Sequence, residues 1–145
     1  MNKIQQSLRE YVDKMVDFRR EYINDDHMYV RLQKDGQFFT PLKHRPPQYP
    51  LMKIRDCFRN AYIMLQKPEL EYVEGIAYSG IMPVHHAWNV DKDGNVVDVT
   101  WRTRGKLSKF GEGREYFGII IPRDVLDKAL YAVKPYTYGY WKSDL

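Results

Sequence analysis

The chain of 145 residues predicts a single α+β domain with N-terminal helices and an antiparallel sheet, and three observations carry that reading. Near the N-terminus apolar residues recur at steps of three and four, the mark of an amphipathic helix. Between Glu71 and Ile121, short runs rich in β-branched and aromatic residues alternate with turn residues, the mark of strands joined by tight connections. The helical patterns precede most of those strands instead of alternating with them, which favours antiparallel pairing over parallel βαβ units.

The first helix covers residues 3–23, with Ile4, Leu8, Tyr11, Val12, Met15, Phe18, Tyr22 and Ile23 on one face, and Asn24-Asp25-Asp26 ends it. Met28–Gln33 reads as a short strand, and a hairpin turn at Lys34-Asp35-Gly36 leads into Gln37–Leu42. Pro41, Pro46, Pro47 and Pro50 then impose an extended connection, because proline lacks the amide hydrogen and disfavours a helical residue before it. A helix over residues 52–66 follows, with Ile54, Phe58, Ala61 and Leu65 as its core stripe and Lys67-Pro68 as its stop. Strands are expected at Glu71–Tyr78, His85–Val90, Asn95–Trp101 and, after the polar stretch Arg102–Arg114, at Tyr116–Ile121. Residues 123–132 form a short helix with Val125, Leu126, Ala129 and Leu130 inward, and an aromatic tail runs from Tyr136 to Trp141. No linker, repeat or low-complexity tract divides the chain, so residues 1–145 are one unit with a catalytic-like core at about 52–121.

A hydrophobic content of 43% with 29% charged residues fits a soluble globular protein and excludes global disorder. No apolar run approaches the ~18 residues of a membrane span, and Met-Asn-Lys-Ile-Gln-Gln-Ser lacks the apolar core of a signal peptide. One cysteine excludes an internal disulfide framework and fits a reducing compartment, so a cytoplasmic location without membrane contact is expected. His27 and His44 have no ligand-like partners and the chain has no Gly-rich phosphate loop, so neither a metal nor a cofactor is expected. The net charge of +4 arises from cations spread along the chain, with clusters at Lys43–Arg45, Lys53–Arg59 and Arg102–Lys109. They form either a solvated surface or a basic rim that draws in an anionic substrate, nucleic acid included.

Chemistry concentrates between Cys57 and Trp101. The only cysteine is followed by histidine on one expected strand and by aspartate on the next. A thiol needs a base to become a thiolate, and an imidazole base needs an acceptor to fix its tautomer, so this order suggests a Cys-His-Asp acyl-transfer site. Cys57 is otherwise a small buried hydrophobe. The functional reading gains from Asp56, placed to cap a helix beginning at Cys57 and so to set the sulfur at the positive end of the helix dipole. The base is a question of register. Asp91-Lys92-Asp93-Gly94-Asn95 suits a three-residue loop, a type I turn followed by a left-handed Gly94. That register pairs Trp88 with Asp98 and His86 with Thr100, so His86 and Asp98 share a face as diagonal neighbours. A two-residue Asp-Gly turn slips the register by one and selects His85 instead. His86 is therefore the expected base and Asp98, at a partly exposed position, its orienting partner. Trp88 and Trp101 are expected as core or groove walls, Asn60 as a supporting or substrate-binding residue, and Gln48 as an oxyanion donor beside the backbone N–H of Cys57.

These residues resemble the papain-like superfamily, and within it the transglutaminase-like core, whose members carry Cys at a helix start, His in a His-Ala-Trp strand and Asp in an Asp-Pro-Thr strand. Here these are Cys57, His86-Ala87-Trp88 and Asp98-Val99-Thr100, with Val99 in place of the proline. The likeness covers about residues 52–101, and papain's own Gln-to-Cys spacing and Cys-Trp pair are absent, which favours the transglutaminase-like side. With Tyr-Val-Glu-Gly before the His strand and Tyr116 to Gly118 after it, the chain also resembles small proteins encoded by tailed phages. The resemblance implies a cysteine hydrolase or acyltransferase that acts on an amide or ester carbonyl of a protein, a peptide-like molecule or a small substrate. If phage-encoded, it would act in the host cytoplasm on a host factor. It leaves proteolysis, deamidation and amide transfer open. Two other readings stand beside it: a non-catalytic binding or inhibitor module on the same scaffold, and a nucleic-acid binder that stacks bases on Tyr136, Tyr138, Tyr140 and Trp141.

Overall fold

The computed structural model describes residues 1–22, 28–41, 46–101 and 114–132. The first helix, α1 (Lys3–Tyr22), is opened by a reciprocal cap in which Asn2 Oδ1 accepts the Gln5 N–H at 2.8 Å and Gln5 Oε1 accepts the Asn2 N–H at 3.1 Å. Leu8, Val12 and Val16 form its buried line, whereas Phe18, expected inward, is exposed. Residues 28–33 are not a strand. They belong to α2 (Met28–Asp35), in which Met28, Tyr29 and Leu32 are buried, and the Gly36 N–H ends it on Leu32 O at 2.9 Å. The expected alternation and a four-residue helical step coincide over so short a window, and packing of Met28 and Leu32 against α1 decides for the helix. The turn at Lys34-Asp35-Gly36 is thus a helix-to-strand junction into β1 (Gln37–Phe39).

The second half supplies α3 (Cys57–Ile63) with a 3-10 turn at Met64–Gln66, then β2 (Glu71–Tyr78), β3 (Pro83–Val90), β4 (Val96–Val97), β5 (Glu115–Ile121) and α4 (Arg123–Ala132). The helix expected from residue 52 starts at Cys57, because Met52–Asp56 is used in tethers: Met52 N–H donates to Val99 O at 2.8 Å, and Lys53 O accepts from the Asn60 amide at 2.7 Å. Ile54 is consequently exposed instead of lying in the core stripe. The ends expected at residues 23–26 and 42, the cation clusters at 43–45 and 102–109, His27, His44 and the aromatic tail lie outside the described residues.

The strands form one antiparallel sheet in the order β1-β5-β2-β3-β4. It is curled into a half-barrel, and Val96 N–H donates to Thr40 O at 3.1 Å, joining the two edges. Phe39, Val73, Trp88, Val96 and Tyr116 meet in one cluster drawn from all five strands, which places them on the concave face. The convex face is covered by α1 and α2 over Ile76 and Phe117, and by α3 and α4 over Tyr72, Ala87 and Ile121. Gly75 pairs with both His86 and Gly118. A Cβ on Gly75 would lie 2.5 Å from Gly118 Cα, and one on Gly118 would lie 2.8 Å from the Trp88 ring. Two bare positions beside His86 thus let the sheet bend and the aromatic side chains close over it. The result is an α+β single domain. No helix among the described residues is long and apolar enough to cross a membrane.

Candidate functional site

Strand alternation puts His86, Trp88 and Val90 on the concave face of β3 and His85, Ala87 and Asn89 on the other. The β3–β4 hairpin adopts the register of the three-residue loop, with Asn89 opposite Val97 and Val90 opposite Val96. Gly94 has φ +80° and its N–H donates to Asp91 O at 3.0 Å, while Asp91 Oδ1 accepts the N–H groups of Asp93 and Asn95 at 2.9 Å each. Pairing stops at Val97, short of the strand expected to Trp101. Asp98 folds back on its own chain there, and its Oδ1 accepts the N–H groups of Thr100 and Trp101 at 3.0 Å each. Such a local turn competes with the ladder and locks the carboxylate.

The other oxygen, Asp98 Oδ2, meets His86 Nε2 at 2.9 Å and accepts the Tyr116 hydroxyl at 2.9 Å. Cys57, at the start of α3, lies close enough to the same imidazole to favour its protonated form. Because Nε2 faces Asp98, Nδ1 is the nitrogen left for the sulfur. The structure therefore brings Cys57, His86 and Asp98 together in that order. Asp98 is fully buried, which corrects the expectation of a partly exposed carboxylate. Trp101 stacks on His86 with ring centroids 4.0 Å apart and planes at 19°, and Arg114 lies with its Cζ 5.3 Å from the Trp101 ring centre.

Trp88 and Asn60 hold supporting positions, whereas Gln48 and Asp56 depart from their expected roles. Trp88 is buried in the concave core with its centroid 6.0 Å from His86, so it is a wall and cannot touch a substrate. Asn60 is also buried; its amide donates to Lys53 O at 2.7 Å and to Thr100 Oγ1 at 2.9 Å, tying the cysteine helix to the aspartate turn. Gln48 is exposed and hydrogen-bonds the Tyr49 hydroxyl, which lies beside Glu69 and Asp91 at the end of β3 remote from His86, so it is no oxyanion donor. Asp56 occupies the N-cap position of α3 but makes no capping hydrogen bond and instead approaches Arg59 at 4.0 Å. The first N–H groups of α3 thus receive nothing from that side chain. Tyr116 joins the site without having been singled out from the sequence. Only the pairing of β5 beside β2, which sets Tyr116 opposite Ala77, brings it to Asp98.

Electrostatics follow from burial and pairing. Burial alone would lower the His86 value, but the Asp98 charge and hydrogen bond, reinforced by Cys57, lift it from 6.5 to about 9. Burial likewise opposes ionisation of Asp98, yet His86 and the N–H groups of Trp101 and Thr100 hold the carboxyl below its ordinary range. Near neutral pH the pair is an imidazolium against a carboxylate. Burial and the neighbouring Asp98 charge push the Tyr116 hydroxyl well above its ordinary value, so it remains a donor. No group of three or more His, Cys, Asp or Glu side chains among the described residues could hold a metal ion. Comparison with protein-family models, curated proteins and solved structures finds no match.

Proposed function

We propose that this protein is a cysteine-dependent hydrolase or acyltransferase with Cys57 as nucleophile, His86 as acid and base, and Asp98 as the residue that orients the imidazole. One observation carries the reading: His86 is bonded through Nε2 to Asp98 at 2.9 Å while Cys57 stands close enough to the same ring to favour its protonated form. A cysteine at the first residue of a helix, packed on an antiparallel sheet that carries the histidine and is followed by the aspartate in the turn after β4, also supports a transglutaminase-like core. In the forward step the Cys57 thiolate attacks the carbonyl carbon of an amide or ester. The scissile bond breaks, the imidazolium gives its proton to the departing amine or alcohol, and a thioester remains on Cys57. In the second step neutral His86 takes a proton from water or an amine as it attacks the thioester. The C–S bond breaks, and the thiolate and imidazolium are restored. The backbone N–H of Cys57, which has no intrahelical acceptor at a helix start, would serve as the oxyanion donor.

The test needs no natural substrate. Incubation with p-nitrophenyl acetate is expected to release a burst of p-nitrophenol and leave an acetyl group on Cys57, detected by mass spectrometry. His86→Ala should abolish the burst while the protein remains folded. Acetylation of surface lysines alone, with Cys57 unmodified, would defeat the reading and return the protein to the class of binding modules.

A further inference from the structure

Asp98 accepts four hydrogen bonds, and the fourth comes from a strand that supplies neither nucleophile nor base. Tyr116 on β5 donates to Oδ2, the oxygen already bound to His86 Nε2. Its ring is fully buried, edge-on to Trp88 at 5.0 Å and tilted against Trp101 at 5.9 Å. Arg114, two residues upstream, hydrogen-bonds the Tyr116 oxygen and covers Trp101, itself stacked on His86. The groups around His86 are therefore Asp98 from the turn after β4, Cys57 from α3, Trp88 from β3, Trp101, and Tyr116 from β5 with Arg114 behind it. His85 and Glu74 lie on the opposite face of the sheet.

We propose that Tyr116, polarised by Arg114, is a positioning residue that shares the negative charge of Asp98 and so sets how readily the His86 imidazolium releases its proton to a leaving group. The proposal rests on the acyl-transfer reading of Cys57 and His86 and adds to it the groups that tune the acid. A carboxylate oxygen that accepts two hydrogen bonds offers less charge to each, and removing one donor strengthens the other bond in a dry interior. A general acid must hold its proton at rest yet yield it in the transition state, so an Asp98 engaged by His86 alone would stabilise the imidazolium charge too strongly for Nδ1 to give up its proton readily. The Tyr116 proton stays in place throughout, since that hydroxyl is held well above its ordinary range. Arg114 favours this arrangement by donating to the oxygen whose hydrogen points at Asp98.

Tyr116→Phe deletes one oxygen and keeps the ring, and nitrogen-15 NMR of the imidazole follows His86 without any substrate. In the native protein His86 is expected to titrate near pH 9. In Tyr116→Phe the midpoint should rise by roughly half to one pH unit, in the direction a strengthened carboxylate bond dictates. Arg114→Gln should move it the same way by less, and this variant carries the test alone if Tyr116→Phe fails to fold. The alkaline limb of Cys57 alkylation should shift in parallel. An unchanged or lowered midpoint in both variants would overturn the role given to Tyr116 while leaving Cys57 chemistry intact. A native His86 that titrates near 6.5, with Cys57 labelling indifferent to His86→Ala, would instead overturn the acyl-transfer reading itself.

Discussion

His85 and His86 are neighbours on β3, point to opposite faces of the sheet, and each faces a buried carboxylate. Their environments differ sharply. His86 meets Asp98 at 2.9 Å, and three further hydrogen bonds hold that carboxylate. His85 lies 3.7 Å from Glu74, too far for a hydrogen bond, while Glu74 Oε1 accepts the Tyr72 hydroxyl at 2.8 Å and Phe58 stands edge-on to the His85 ring at 5.0 Å. Glu74 sits in the regular ladder opposite Ala87 and approaches His85 only through its side chain. Asp98 sits in a turn whose own backbone grips one of its oxygens and aims the other. Nearness of an imidazole to a carboxylate does not make an oriented base; a carboxylate with no rotational freedom does.

The largest expected effect separates the two carboxylates. Asp98→Asn should lower p-nitrophenyl acetate turnover by about 10⁴-fold, since an amide can fix the wrong tautomer, whereas Glu74→Gln should change it by less than about twofold. From the sequence alone Asp98→Asn would cost no more than ~1–2 kcal/mol as a partly exposed polar change. Full burial against an imidazolium raises that expectation to about 3 kcal/mol, because the remaining charge is left buried and unpaired. Urea unfolding measures it, and an Asp98→Asn protein as stable as the native one would deny the ion pair.

Next comes the thiol. Iodoacetamide should label Cys57 at pH 7 faster than a free thiol of pKa about 8.5, and His86→Ala should remove that excess, at least about tenfold. His85→Gln should leave the rate unchanged. Equal losses in the two variants would erase the distinction drawn between the histidines.

The pH dependence of stability gives a third contrast. His86 binds its proton more tightly folded than unfolded, so its stabilisation is fully present below pH 6.5 and is lost as pH rises toward about 9. At ~1.4 kcal/mol per pH unit the loss reaches about 3 kcal/mol. The lowered Asp98 value acts in the other direction: its contribution is present above 3.8 and disappears as pH falls through the folded value. Stability should therefore be greatest between about pH 4 and 6.5. Chemical unfolding across pH should show the alkaline decline in the native protein and in His85→Gln, and should show it abolished in His86→Ala.

The hairpin register that sets His86 on the face of Asp98 was legible because the deciding residues are local: Asp91 and Gly94 select the loop, and the loop selects the register. The long apolar stripe of α1 and the β-rich run Glu71–Tyr78 were legible for the same reason. Residues 28–35 misled because an eight-residue window satisfies two periodicities, and only burial of Met28 and Leu32 against α1 resolves them. Gln48 was misassigned because prolines state that the chain is extended without stating its direction; the Met52–Val99 hydrogen bond fixes that direction. Tyr116 carried no local signal at all, since its meeting with Asp98 depends on a strand pairing far along the chain.

The position of β5 between β1 and β2 governs the order in which the protein is completed during synthesis. Cys57, His86 and Asp98 all leave the ribosome before β5, yet the sheet that holds β1 against the rest cannot close until β5 is available. Contacts separated so widely in sequence form late and slow the approach to the native state. Until then β1 and β2 have no common neighbour, and the donor on Tyr116 is missing from Asp98. A nascent chain thus carries its thiol, imidazole and carboxylate before β5 can complete the sheet beneath them.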